Sequence, residues 1–148
     1  MPESIPSAEI KTMLDGQWNA GNVAKPNLID VNDNTATGNQ ARFDLNRGDY
    51  VFIMADQPVL DEEPIGTWVY GHRRTRIICE VHTKTDRQRL YDLMAEIRRI
   101  CHAQMHALTN YQRVQFQTFN EYTDMQLNVW AGRIVIELLN SAVLLETT

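Results

Sequence analysis

Two histidines four residues apart on a helix can present both imidazoles to one metal ion. The chain offers one such pair, His102 and His106, within the run DRQRLYDLMAEIRRICHAQMHAL. A zinc site needs a third ligand. Glu96 and Cys101 are near in sequence, but Cys101 falls on the apolar stripe of the same helix, and no HExxH occurs. Histidines near a helix C-terminus, favourable to its dipole when charged, are the plainer reading. A second arrangement is that of restriction-type nucleases, in which one acid and a strand bearing Glu-x-Lys hold magnesium and activate water. Asp49 or Asp56 could serve as the first acid and Glu80 as the second, yet His82 stands where the lysine belongs, and Lys84 comes two residues later. A glutamate on the polar side of a half-buried strand is ordinary. No phosphate-binding glycine loop, dinucleotide fingerprint or GxSxG elbow is present, and the two cysteines and four histidines form no nucleophile pair. The expectation is a protein without catalytic residues, cofactor or metal.

Arginines carry the remaining chemistry. Arg73, Arg74 and Arg76 stand together, and Arg87, Arg89, Arg98 and Arg99 follow on the next element. Such a series can bind phosphates, but it is not interleaved with aromatic residues as in a single-strand binder. The chain as a whole carries a net charge of -5 and has a pI near 5.3. The charge is divided unevenly: residues 73–99 hold eight basic and four acidic side chains, and the rest hold six and fifteen. A solvated helix face explains part of this. The split also allows two copies to join through unlike surfaces, the heterologous contact that closes into rings. On that reading Arg73, Arg74, Arg76, Arg98 and Arg99 face a neighbouring subunit, and the acidic run Asp61, Glu62 and Glu63 sits in a loop facing a partner or a lumen.

These residues must be positioned by a strand and a helix. In RRTRIICEVHT, Thr75, Ile77, Cys79 and Val81 alternate with Arg76, Ile78, Glu80 and His82, so one face is buried and the other largely polar. The following helix has Thr85 as its cap, Gln88 to complete a capping box, and Asp86 against the dipole. Its stripe of Leu90, Leu93, Met94, Ile97, Cys101, Met105 and Leu108 repeats at steps of three and four. Extended to residue 108 it would be roughly 35 Å long, enough to cross a small sheet.

Upstream, Ser7 is read as the cap of a short N-terminal helix carrying Ile10, Met13, Leu14 and Trp18, stopped by residues 19–22. Residues 23–47 are polar, with a possible strand at 28–31 and a long loop at about 32–47. DYVFIMAD is apolar on both faces and reads as a strand covered on both sides. A second loop or extended arm spans about 57–71. Downstream, YQRVQFQTF alternates, with Val114, Phe116 and Thr118 on one side; NEYTDMQLN is ambiguous; WAGRIVIELLN is a strand. The apolar tail at 141–148 needs its own sheet or a neighbour's. The fold class expected is α+β: one domain over 1–148, with a single, mainly antiparallel sheet, a long helix packed across one face and a short N-terminal helix, joined by long loops.

At 148 residues such a domain builds a full core without disulfides. Cys79 and Cys101, on the buried faces and without CxxC spacing, are expected to be reduced, which suggests an intracellular origin. The start MPESIPS lacks the pattern of a secretory signal, and no apolar run reaches the length of a membrane span.

The order of elements resembles the tail-terminator and neck proteins of tailed bacteriophages. The likeness is carried by the helix ending in QWNAGN, the strand GDYVFIMAD, the pair YGHRRTRIICEVHTKTDRQRLYDLMAEIRRI, and the closing strands VQFQTF and WAGRIVIELLN. The resemblance implies a non-enzymatic virion protein, a homo-oligomeric ring usually of six copies. Such a ring caps the tail tube and meets the head connector, and DNA passes through its lumen without specific binding. A head-closure, stopper or adaptor protein of the neck would share these features. Outside the virion classes, the alternatives are the nuclease discussed above and a small cytoplasmic adaptor domain.

Overall fold

The alternation in RRTRIICEVHT sets the layers of the whole molecule. The computed structural model describes residues 5–31, 48–55, 60–62, 70–124 and 129–143. Two helices, α1 (Pro6–Gln17) and α2 (Arg87–Ala103), accompany six strands: β1 (Asn27–Asp30), β2 (Tyr50–Ala55), β3 (Leu60–Glu62), β4 (Tyr70–Thr83), β5 (Arg113–Asp124) and β6 (Val129–Val143). The strands form one sheet in the order β1-β2-β4-β6-β5, with β3 paired to β4. Among the described residues only β1 and β2 run parallel; the other pairings are antiparallel. The α+β class and the mainly antiparallel sheet are as the sequence predicts.

Residues 77, 79 and 81 of β4 lie on the helix-covered face with Val51, Ile53, Val114, Ile134, Ile136 and Leu138. Against them pack Leu90, Leu93, Ile97, Ile100 and Cys101 of α2 and Ile10, Met13 and Leu14 of α1. Nearly all are wholly excluded from water, and each contributes on the order of 1.5–3 kcal/mol relative to exposure.

Several details differ from the sequence reading. The N-cap of α2 is Asp86, not Thr85; its carboxylate accepts from the Arg89 amide at 2.7 Å. The Thr85 amide instead donates to Thr83 Oγ1 at 3.1 Å, and Gln88 bonds Asp92 rather than closing a capping box. The helix stops at Ala103 instead of reaching Leu108, because the chain must return to the sheet. The Val114 amide donates to the Met105 carbonyl at 2.9 Å, pinning the turn after α2 to the start of β5. Ser7 is not the cap of α1. Pro6 opens the helix, its fixed φ suiting the first position, and the Ser7 hydroxyl inside it donates to Asp30 Oδ2 of β1 at 3.1 Å.

The expected loop at 57–71 contains β3 and the first residues of β4, so Asp61 and Glu62 belong to a strand, with Asp61 opposite Arg73 in register. Asp56 and Glu63 and the expected loop at 32–47 lie outside the described residues. Strand β5 runs on through Asp124, absorbing much of the ambiguous linker, and β6 continues to Val143, so the first residues of the apolar tail pair on their own sheet with Tyr70, Gly71 and His72. A bulge between Phe116 and Thr118 breaks the alternation of β5. It brings Phe119, not Thr118, onto the helix-covered face, where its ring meets Tyr91 edge-on at 5.5 Å. Gly132 sits beneath that ring; a Cβ there would lie 2.4 Å from Phe119.

Candidate interaction surfaces

Helix α2 has two flanks with different work. On one flank, Arg89 Nε meets Asp49 Oδ2 at 2.6 Å and its Nη2 donates to the Ala24 carbonyl at 2.7 Å. Two turns further, Glu96 accepts from the Asn19 amide at 2.8 Å and from Arg99 Nε at 2.6 Å, while Arg99 Nη2 reaches the Gln17 carbonyl at 3.0 Å. These contacts bind α2 to the end of α1 and the segments beside it. The Arg99 hydrogen bonds hold the Glu96 carboxyl below its usual range against the opposing effect of burial, and the Asn19 amide adds to them.

The opposite flank faces β5. Arg87 grips Glu121 through Nε at 2.8 Å and Nη2 at 3.0 Å, and the Tyr91 hydroxyl donates to the same carboxylate at 2.7 Å. The Arg87 and Tyr91 hydrogen bonds lower the Glu121 carboxyl. Arg98 lies two helical turns beyond Tyr91 and His102 three, so both continue this stripe. Both are exposed. His106, expected on the same helix, falls in the turn beyond its end, also exposed, with Nδ1 3.0 Å from the Gln112 carbonyl oxygen.

The sheet face away from the helices carries Glu80. Arg133 Nε donates to its Oε1 at 2.7 Å, and the Tyr122 hydroxyl donates to its other oxygen. Burial, together with the bond to Glu80, pushes the Tyr122 phenol up. Burial lowers His82, the Glu80 charge opposing it; the His82 ring packs edge-on to Phe52 and Tyr122. Farther along this face, Glu137 accepts from Gln117 Nε2 at 3.0 Å and lies 3.6 Å from Arg113.

The five arginines of the sequence reading are therefore divided. Arg74 and Arg76 share the strand face of Ile78 and Glu80, and the backbone of Arg73 pairs with Asp61 and Asn140. Arg99 is tied within its own chain on the α1 flank, whereas Arg98 stands on the β5 flank. Of the carboxylates considered for magnesium, Asp49 and Glu80 are divided too. Asp49 bonds Arg89 on the helix-covered side, and Glu80 faces the other way, so the sheet separates them. Among the described residues no group of three or more His, Cys, Asp or Glu is placed to hold a metal ion, and no helix is long and apolar enough to cross a membrane. Sequence reasoning missed the anchoring roles of Glu96, Tyr122 and Arg133. A Glu96–Arg99 pair at i,i+3, with the acid beside the apolar stripe, was the available signal for the first; the other two depend on strand register.

An α+β chain with two helices on one face of its sheet is the class these features define. No family model matches the sequence, and no curated protein does. Among solved structures the chain is similar to one in the virion of a native gene transfer agent particle, with a TM-score of 0.60 and 10% identity over 92% of this chain and 94% of that one. At this identity the likeness is one of fold.

Proposed function

We propose that the protein is a structural component of a phage-like virion. More specifically, we read it as a tail terminator that assembles as a ring, six copies in the form expected, capping the tail tube and meeting the head connector. The observation that carries this reading is the fold match to a virion chain across nearly the full length of both. It agrees with the resemblance noted from the order of elements. The nuclease reading that pairs Asp49 with Glu80 is disfavoured because the two occupy opposite sides of the sheet. A ring threaded by DNA favours an overall acidic subunit, since like charge denies the phosphates firm contacts, and the net charge of -5 fits. Negative-stain imaging of the purified, concentrated protein tests the proposal. Annular particles with a central hole are expected; a field of featureless single-chain particles at all concentrations would contradict it.

A further inference from the structure

Strand β5 stands at the edge of the sheet, and among the described residues no strand pairs with its outer side. Natural sheet edges are blunted by lysine, proline or bulges. β5 contains no lysine, proline or glycine, and from Val114 to Asn120 it has no charged side chain. Its protection is local. The outward-pointing Val114 amide is taken by the Met105 carbonyl, and a bulge lies between Phe116 and Thr118. Beyond the bulge the strand continues to Asp124, with alternate backbone donors and acceptors on its outer side. Phe116 and Phe119 are only partly buried at this edge.

The charge over the same edge is one-sided. α2 runs antiparallel to β5, its start bonded to Glu121 and the turn after its end to Val114. Tyr91 meets Phe119, and Arg98 lies about 10 Å further along the helix, which brings it near Phe116 and the bulge. His102 follows one turn later. Both are exposed, and neither has an ion pair with a described residue. From residue 97 to residue 120 the chain holds no aspartate or glutamate, and Glu121, the next acid, is held by Arg87.

We propose that the outer edge of β5, beside Arg98 and His102, docks an extended acidic segment of a partner protein, which joins the sheet as a further strand. Main-chain hydrogen bonds to β5 hold the segment. Its acidic side chains on the helix side meet Arg98 and His102, and their stems cover Phe116 and Phe119. A second copy is a poorer occupant on the same chemistry. Asp30 of β1 is buried and bonded to Ser7, Glu121 of β5 is held by Arg87, and Asp61 and Glu62 of β3 stand in register opposite Arg73 and His72. The docking edge does not depend on the ring reading.

Titration of the full, isotope-labelled chain with a short capped peptide of alternating glutamate and valine, followed by NMR at low salt, tests this docking. Three controls accompany it. One is the same peptide methylated at every backbone amide, which keeps the charge but has no donor for a ladder. Another carries lysine in place of glutamate. The third is the variant R98E with H102E, its fold checked by circular dichroism. Saturable binding is expected, with amide shifts concentrated in residues 116–123. It should be lost on methylation, absent with the lysine peptide, and roughly tenfold weaker in the variant. No saturable binding of the acidic peptide at millimolar concentration would overturn the proposal, as would equal binding by the methylated peptide, the lysine peptide or the variant. Self-association of the wild type that disappears in the variant would give the flank to a second copy and overturn it likewise.

Discussion

Glu96 shows how a single buried carboxylate can join two elements. It is almost fully enclosed, yet it accepts from the backbone of Asn19 and from Arg99. Glu96→Ala leaves the Asn19 amide and the Arg99 guanidinium without this acceptor, and we expect a loss of about 1–3 kcal/mol in chemical denaturation at pH 7. The pH dependence follows from the lowered carboxyl. Its stabilising contribution is present above the unfolded glutamate pKa of about 4.3 and is lost as pH falls through the lower folded value. The gap between wild type and Glu96→Gln should therefore narrow in acid; a gap that stays constant down to pH 2 would argue against the ionised lock. Gly132 makes a second point. The ring of Phe119 occupies the space of a side chain, so Gly132→Ala should cost about 1–3 kcal/mol through overpacking. Phe119→Leu in the same chain should recover part of that loss in a double-mutant cycle. Cys101 is pushed up to about 12 by burial, and burial raises Cys79 further. Neither thiol should react with iodoacetamide at pH 7 until the protein is unfolded, and rapid labelling of the native chain would contradict their enclosure. The burial of both cysteines was legible from their place in the apolar patterns. The environment of Gly132 was not, because it depends on a bulge in a neighbouring strand.

At the scale of elements, period-two and period-3.6 patterns located β2, β4, β6 and both helices, since one-sided burial imposes these repeats on any sequence. Capping was less legible. Thr85 and Asp86 are adjacent and both chemically suited to the cap, and only the backbone path after β4 selects Asp86. Asp86→Ala should destabilise the protein by about 1 kcal/mol, whereas Thr85→Ala should change stability much less; thermal or urea melts of the two variants decide between them. The end of α2 was misjudged because Met105 and Leu108 continue the apolar spacing although they belong to a turn. In β5 the sequence alternates through Thr118, but the bulge leaves no mark in it, because polar residues at both 117 and 118 suit either register. The sequence around β3 reads as loop because a three-residue strand is too short to show a period. The flanks of α2 could be sorted only when its neighbours were known: Arg98 and Arg99 are adjacent in sequence and about 100° apart around the helix, which is enough to put Arg99 on the α1 side and Arg98 in the stripe of Tyr91.

For the whole molecule, the division of charge seen in the sequence becomes a spatial one. Part of the basic central segment is neutralised internally, through Arg87, Arg89 and Arg99, while Arg98 stands exposed on the β5 flank. A chain with its charge so unevenly divided along the sequence is suited to repeat contacts with copies of itself, which is the property the proposed ring component needs. The mass of the purified chain in solution, measured by light scattering over a range of protein and salt concentrations, tests this account most directly. The account predicts an assembly of several 17.1 kDa chains, roughly 100 kDa for a closed ring of six, weakening as salt screens the charged contact. A mass that stays at one chain at every concentration, at low salt as well as high, would contradict it.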